Sequence, residues 1–79
     1  MMIYKNISGD SPIVKYEIDD ESITVLFRKT SGLGTFYKYT NASAGPSNIS
    51  EMKEFAEAGR GLAAFISQNR PPYDSKWSE

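Results

Sequence analysis

Hydrophobic and polar residues alternate along three stretches of the first half of the chain, at residues 12–18, 23–29 and 35–40. Such alternation is typical of a β-strand with one buried face. The first two stretches are joined by an acidic turn at residues 19–22. The next connection, residues 30–34, contains Gly32 and Gly34, which permit the positive φ of a tight turn. We therefore predict an antiparallel meander over residues 12–40.

The alternation assigns the strand residues to two faces. The face expected to pack against helices carries Val14, Tyr16, Ile18, Ile23, Val25, Phe27, Tyr37 and Tyr39. The open face carries the polar residues Lys15, Glu17, Thr24, Arg28, Lys38 and Thr40. It also carries Ile13, Leu26 and Phe36, which is more apolar surface than a solvated face needs.

A helical period follows this alternation. A first helix is predicted from Asn48, a good N-cap that forms a capping-box pattern with Glu51, to Gly59, which suits the left-handed residue after a helix. Its apolar stripe is Ile49, Met52, Phe55 and Ala56. A second helix is predicted over about residues 61–69, before Arg70-Pro71-Pro72 stops it, with the apolar face Leu62, Phe65 and Ile66.

The remaining segments complete the predicted organisation. Residues 1–8 are a candidate edge strand, residues 41–47 a loop of small residues, and residues 70–79 a polar tail. A chain of 79 residues allows one domain. The predicted fold class is α+β, a meander of three strands, or four with the edge strand, packed against two C-terminal helices over residues 48–69.

The composition excludes the side chains that most catalytic and metal sites use. The chain has no cysteine and no histidine, so it lacks disulfides, thiolate metal sites and the commonest general base. Asp19, Asp20 and Glu21 form a carboxylate-rich turn, which we expect to be solvated rather than to hold a cation. We therefore predict a protein that is not an enzyme and has no cofactor and no metal.

The charge and hydropathy limit the partners. The net charge is −1, whereas domains that neutralise many phosphates usually have a positive excess. The N-terminus has no apolar signal region, and no apolar run approaches the roughly 18 residues that span a bilayer. We expect a cytoplasmic protein without a membrane partner.

Three features occur in an order that resembles a known family. They are the Tyr-x-Tyr of Tyr37-Lys38-Tyr39, a helix ending in a glycine turn over residues 52–62, and Ala64-Phe65-Ile66 in a short second helix. Over roughly residues 8–73 the chain resembles the KTSC domain, named for its place at the C-terminus of some lysyl-tRNA synthetases. The resemblance implies a free-standing bacterial or phage protein, in the host cytoplasm if phage-encoded, and suggests RNA binding. Family members often carry a basic stretch after the last helix, which here has only Arg70 and Lys76 as basic residues.

The aromatic residues of the third strand allow two interpretations. Tyr37 and Tyr39 can stack on nucleobases, or they can belong to the core with their hydroxyl groups at its rim. We favour the core. Phe36 then lies on the open face as the stacking residue, with Lys38 and Arg28 as phosphate contacts.

Arg60 lies between two glycines at the junction of the predicted helices. Backbone N–H groups at a helix start attract anions, so Arg60 is a candidate phosphate clamp. The alternative, which we favour, is a solvated arginine near the C-terminal end of the first helix.

These observations lead to two functional hypotheses. The first is a non-catalytic binding module for a nucleotide-type ligand or RNA, for example a phage-encoded protein that sequesters a nucleotide signal. The second is a protein-interaction or self-assembling accessory protein of phage or prophage origin that acts on a host complex. It rests on the sheet edges and on exposure of Ile13, Leu26 and Phe36, which would also favour a homo-oligomer.

Overall fold

In the part of the chain that the structure describes, the fold is a five-stranded antiparallel sheet with three helices, which confirms the predicted α+β meander. The computed structural model describes residues 1–29, 32 and 34–78. The strands are adjacent in chain order: β1 (Met2–Ile3), β2 (Ile13–Asp19), β3 (Ser22–Phe27), β4 (Thr35–Thr40) and β5 (Ser75–Ser78). Three residues of the predicted turn 30–34 lie outside the described residues.

The prediction of a polar tail after residue 70 was wrong. Its residues Ser75–Ser78 form β5, which pairs with β4 from Thr35 to Lys38. The candidate N-terminal edge strand is present as β1, but only Met2 and Ile3 pair with β2. Among the described residues the sheet therefore has five strands rather than three or four.

A register shift in β2 changes the predicted faces. Ile13 pairs with Phe27, but Lys15 pairs with Leu26, so two residues of β2 advance against one of β3 between these pairs. An extra residue in one strand reverses the side-chain alternation before it. Ile13, expected on the open face, therefore lies in the core and is 2% exposed, whereas Val14, expected in the core, is half-buried.

The first helical segments also differ from the prediction. Residues expected as a loop form a short helix, α1 (Asn41–Ala44), and α2 (Pro46–Ala58) starts before Asn48. Proline is favoured in the first turn of a helix, where its missing N–H has no partner to lose. Asn48 does not cap a helix; its Nδ2 donates to the Ala44 carbonyl oxygen at 2.9 Å.

The later helix boundaries follow the predicted signals. Gly59 ends α2 in the left-handed conformation with φ of 79°. The last helix, α3 (Leu62–Asn69), ends at Arg70, which takes a φ of 47° just before Pro71. Proline disfavours helical backbone in the residue before it, which explains the stop.

The helices pack on one face of the sheet around a small core. Its fully buried side chains are Ile23, Val25, Ile49, Met52 and Leu62. Tyr4, from the N-terminal segment, joins this cluster and is 3% exposed. The opposite face of the sheet is not covered by these helices and carries Leu26, Phe36, Lys38 and Trp77.

The described part of the chain contains no helix that is both long enough and apolar enough to cross a membrane.

Candidate functional site

The two tyrosines of the Tyr-x-Tyr sequence lie on the helix-covered side of the sheet. Tyr39 is 3% exposed within the core. Tyr37 is half-buried and meets the rings of Phe27 and Tyr73 edge-on, at centroid distances of 5.4 and 5.1 Å. Burial, and then the neighbouring hydroxyls of Tyr37 and Tyr73, raise the pKa of Tyr39 to about 12. Tyr39 is thus enclosed, and Tyr37 stands at the rim.

The open face is less exposed than the sequence indicates. Leu26 and Phe36 lie on this face but are only 6% and 9% exposed, so the expected apolar exposure at Ile13, Leu26 and Phe36 was wrong. Phe36 is covered by Trp77, which lies directly opposite it on β5. The two rings are stacked, with centroids 5.2 Å apart and planes 14° from parallel.

Trp77 is the exposed aromatic residue of this face. It is 43% exposed, and the β5 pairing places it at the outer edge of the sheet. Sequence reasoning missed it because residues 70–79 were assigned to a polar tail outside the predicted sheet. One signal was available: Ser75-Lys76-Trp77-Ser78 is a short run that includes a strong strand former, and it follows a Pro-Pro pair.

Lys38 lies one row along the open face from the aromatic stack. It is two residues after Phe36 on β4 and pairs with Thr24 on one side and Ser75 on the other. Residues two apart on a strand are separated by roughly 7 Å and share a face. Lys38 therefore lies in the row next to the Phe36–Trp77 stack, on the same face of the sheet.

A polar groove of about 930 Å³ adjoins Lys38 at the β2–β3 turn end of the sheet. Lys38, Thr40, Ser22 and Asp74 line it, together with the acidic turn. Lys53 closes one side, where its Nζ donates to the carbonyl oxygens of Asp19 and Asp20 at 2.6 and 3.0 Å. The groove thus offers hydroxyl groups, carboxylates and cations, and it includes Lys38, the residue one row from the aromatic stack.

The acidic residues that line this groove are not arranged as metal ligands. Asp19, Asp20 and Glu21 are all exposed. Among the residues that the structure describes, no group of three His, Cys, Asp or Glu side chains is arranged to hold a metal ion.

The two arginines of the predicted site lie apart from this arrangement. Arg28 is exposed just beyond the end of β3, and its backbone N–H donates to the Pro12 carbonyl oxygen at 2.8 Å. Arg60 is exposed in the α2–α3 connection and lines a separate hollow with Glu54, Phe55, Ala58 and Gly61. The predicted site residues therefore divide into four places: the helix-covered side, the open face, the end of β3 for Arg28 and the helix junction for Arg60.

Comparisons of the chain with protein families, with curated proteins and with solved structures gave no match.

Proposed function

We propose that this protein is a non-catalytic binding module that holds a nucleotide-type ligand, as a free nucleotide or an unpaired RNA base, by stacking the base on Trp77. The observation that carries this proposal is the parallel stack of Trp77 on Phe36, which leaves Trp77 43% exposed. The buried Phe36 ring supports Trp77 from one side. A ring held in place loses little conformational freedom when a ligand binds.

The free energy of one stacking contact is sufficient for weak binding only. Stacking of a nucleobase on an aromatic side chain contributes roughly 1–3 kcal/mol and does not depend on the base, since every base has a π-face. A single stack therefore needs support from polar contacts to reach useful affinity.

The groove beside Lys38 supplies groups of suitable chemistry. The Lys38 ammonium can pair with a phosphate, and the Asp74 carboxylate can accept hydrogen bonds from ribose hydroxyls. Both residues line the same groove. A net charge of −1 favours a small nucleotide or a short RNA contact over a long phosphate backbone.

The ligand class also agrees with the resemblance to the KTSC domain expected from the sequence, since RNA binding has been suggested for that family. Under this proposal a phage-encoded protein of this kind would sequester a nucleotide signal. The contact residues, however, would be Trp77, Lys38 and Asp74 rather than the Tyr-x-Tyr pair, because Tyr39 is enclosed in the core.

Trp77 also provides the test, because it is the only tryptophan of the chain. Base stacking should quench its fluorescence during titration with mononucleotides and short single-stranded RNA. Calorimetry should show that Trp77→Ala weakens binding about tenfold or more, that Trp77→Phe keeps most of it, and that Lys38→Gln lowers the salt dependence.

Tyr73→Ala is the matched control, since Tyr73 is 49% exposed but contacts Tyr37 on the helix-covered side. It should leave binding unchanged. Absence of quenching and of heat with every nucleotide and RNA up to millimolar concentration would refute the proposal.

A second candidate function is protein interaction through the N-terminal edge of the sheet. Apolar side chains are exposed there: Met2 is 62% and Ile3 74% exposed. Cross-linking mass spectrometry in the host should recover one protein with the native chain and lose it with Ile3→Asp. Equal recovery with both chains would contradict this candidate.

A further inference from the structure

We propose that two copies of this chain associate through β5, paired antiparallel about a two-fold axis that passes between their two Trp77 residues. The sheets of the two copies would then join into one sheet of ten strands. This inference does not depend on nucleotide binding, since it rests on the strand edge, the aromatic stack and the register of the charges.

The first observation is the unpaired edge of β5. Within the described residues β5 is the last strand of the sheet and pairs on one side only, with β4. Alternate residues of an edge strand direct their N–H and C=O groups outward, where another strand can pair with them. The opposite edge offers much less, because β1 has only two residues.

The second observation is the direction of the aromatic stack. Phe36 and Trp77 are directly opposite each other on neighbouring strands, and their ring centroids are 5.2 Å apart. This distance is close to the spacing of about 4.8 Å between paired strands, so the stack runs across the sheet. The free side of the Trp77 ring therefore lies where the next strand would place a side chain. A second Trp77 would continue the stack of Phe36 and Trp77 with an aromatic ring of the same kind.

The third observation decides between two registers, with the axis at Lys76 or at Trp77 in the middle of β5. Directly opposite residues in an antiparallel ladder point to the same face of the sheet. Neighbouring residues of one strand point to opposite faces, so residue 76 of one copy cannot lie directly opposite residue 77 of the other. The two-fold axis must therefore pass at a residue, which then lies opposite itself. An axis at Lys76 would place two ammonium groups opposite each other, which is destabilising. An axis at Trp77 instead pairs the two tryptophans and places each Lys76 opposite Ser78 of the other copy. The second register avoids charge repulsion and pairs two aromatic side chains, which are favourable cross-strand neighbours.

The expected dimer is weak. A pair of four-residue strands buries less than the roughly 1,200 Å² of a stable interface. The same ring face would be used by a stacked base, so a nucleotide that binds Trp77 would compete with dimer formation. Self-association must therefore be measured without nucleotide. A chain that dimerises but binds no nucleotide, or binds nucleotide but stays monomeric, then contradicts only one of the two proposals.

Sedimentation equilibrium of the nucleotide-free chain tests the proposal. Between roughly 10 µM and 1 mM the average mass should rise from 8.8 kDa toward twice that value. Trp77→Ala should weaken association at least about tenfold, while Tyr73→Ala should not change it. A mass that stays at 8.8 kDa, or equal association of the Trp77→Ala chain, would overturn the proposal.

Two substitutions at the exposed Ser78 test the register. Ser78→Glu places a carboxylate opposite Lys76 of the second copy at two equivalent positions and should strengthen the dimer by roughly two- to thirtyfold. Ser78→Lys should weaken it by a similar factor. An axis at Lys76 would instead place residue 78 opposite Asp74, so that Ser78→Glu would weaken the dimer and Ser78→Lys would strengthen it. That result would refute the proposed register. Circular dichroism should show that both variants keep the native fold.

Discussion

The Trp77 ring lies parallel to the Phe36 ring across the β4–β5 pair, with their centroids 5.2 Å apart. This stack keeps Phe36, on the face away from the helices, at 9% exposure. The last strand is thus attached to the sheet both by backbone hydrogen bonds and by an aromatic contact. Trp77 therefore both stabilises β5 on the sheet and is the exposed ring on which the proposed ligand stacks.

Trp77→Ala should lower the free energy of unfolding by about 1–2 kcal/mol. The substitution removes an aromatic pair, which contributes about 0.5–1.5 kcal/mol beyond its buried area, and it exposes Phe36 to water. Trp77→Phe should recover most of the loss because it keeps a ring over Phe36. Urea denaturation followed by circular dichroism measures both variants, and equal stability of the native and alanine chains would contradict the role of the stack.

Gly34→Ala should destabilise the protein by at least about 1 kcal/mol more than Gly9→Ala. Both glycines have positive φ, 149° and 84°, so both substitutions strain the backbone. A Cβ on Gly34 would also overlap the Phe27 carbonyl oxygen and stand 2.8 Å from Leu26 Cδ1, whereas a Cβ on Gly9 would meet nothing within 4 Å. Overpacking of this kind typically costs about 1–3 kcal/mol. Equal denaturation midpoints for the two variants would show that β3 yields to the added methyl group.

Thr40→Ala should cost about 1 kcal/mol by removing the N-cap of α1. Thr40 Oγ1 accepts a hydrogen bond from the Ser43 backbone N–H at 3.0 Å, and Ser43 Oγ accepts one from the Thr40 N–H at 3.0 Å. Loss of such a cap costs about 0.5–2 kcal/mol. Thr40→Ser retains the hydroxyl and should stay within about 0.5 kcal/mol of the native chain in thermal or urea denaturation; similar losses for both variants would argue against capping.

The stability of the protein should fall as the pH rises from about 10 to about 12. Burial raises the pKa of Tyr39 from 10.0 to about 12, so in this interval the unfolded chain has lost the phenol proton while the folded chain still holds it. The unfolded state then binds fewer protons, and the free energy of unfolding decreases with pH. Below pH 10 the contribution of Tyr39 should be constant.

Tyr39→Phe is the control for this pH dependence. It removes the group that titrates while keeping the ring in the core. Its loss of stability between pH 10 and 11.5 should be smaller than that of the native chain, although not zero, since burial also raises the pKa of Tyr4 against the opposing effect of the Leu62 backbone. Parallel stability curves for the two chains would contradict the assignment.

Local sequence signals predicted much of the fold. The alternation over residues 35–40 gave β4 its observed bounds, and Gly59 and Pro71 ended α2 and α3 as predicted. Such signals work because strand alternation, glycine conformation and proline geometry act within a few residues. Asn48 was wrongly predicted as an N-cap because Thr40 and Pro46 are also local helix-start signals. Local signals alone do not rank these three positions.

The candidate site was predicted only in part. Lys38 and Phe36 were placed correctly on the open face, but Trp77, which covers Phe36, was not considered. Its position depends on pairing between strands that are separated by about half of the chain, and a four-residue strand has too little pattern to predict such pairing.

The sequence by itself determined the α+β class and three of the five strands in the described part of the chain, because these follow from the period of apolar residues. It favoured the core position of Tyr39 but left a ligand contact open. Only the tertiary structure decided that Ile13 turns into the core and that Trp77 returns to the edge of β4. A one-residue shift in β2 reverses the facing of Ile13, and long-range pairing places β5; neither is encoded in the local alternation. The pairing of β5 decides which aromatic ring the protein presents on its open face.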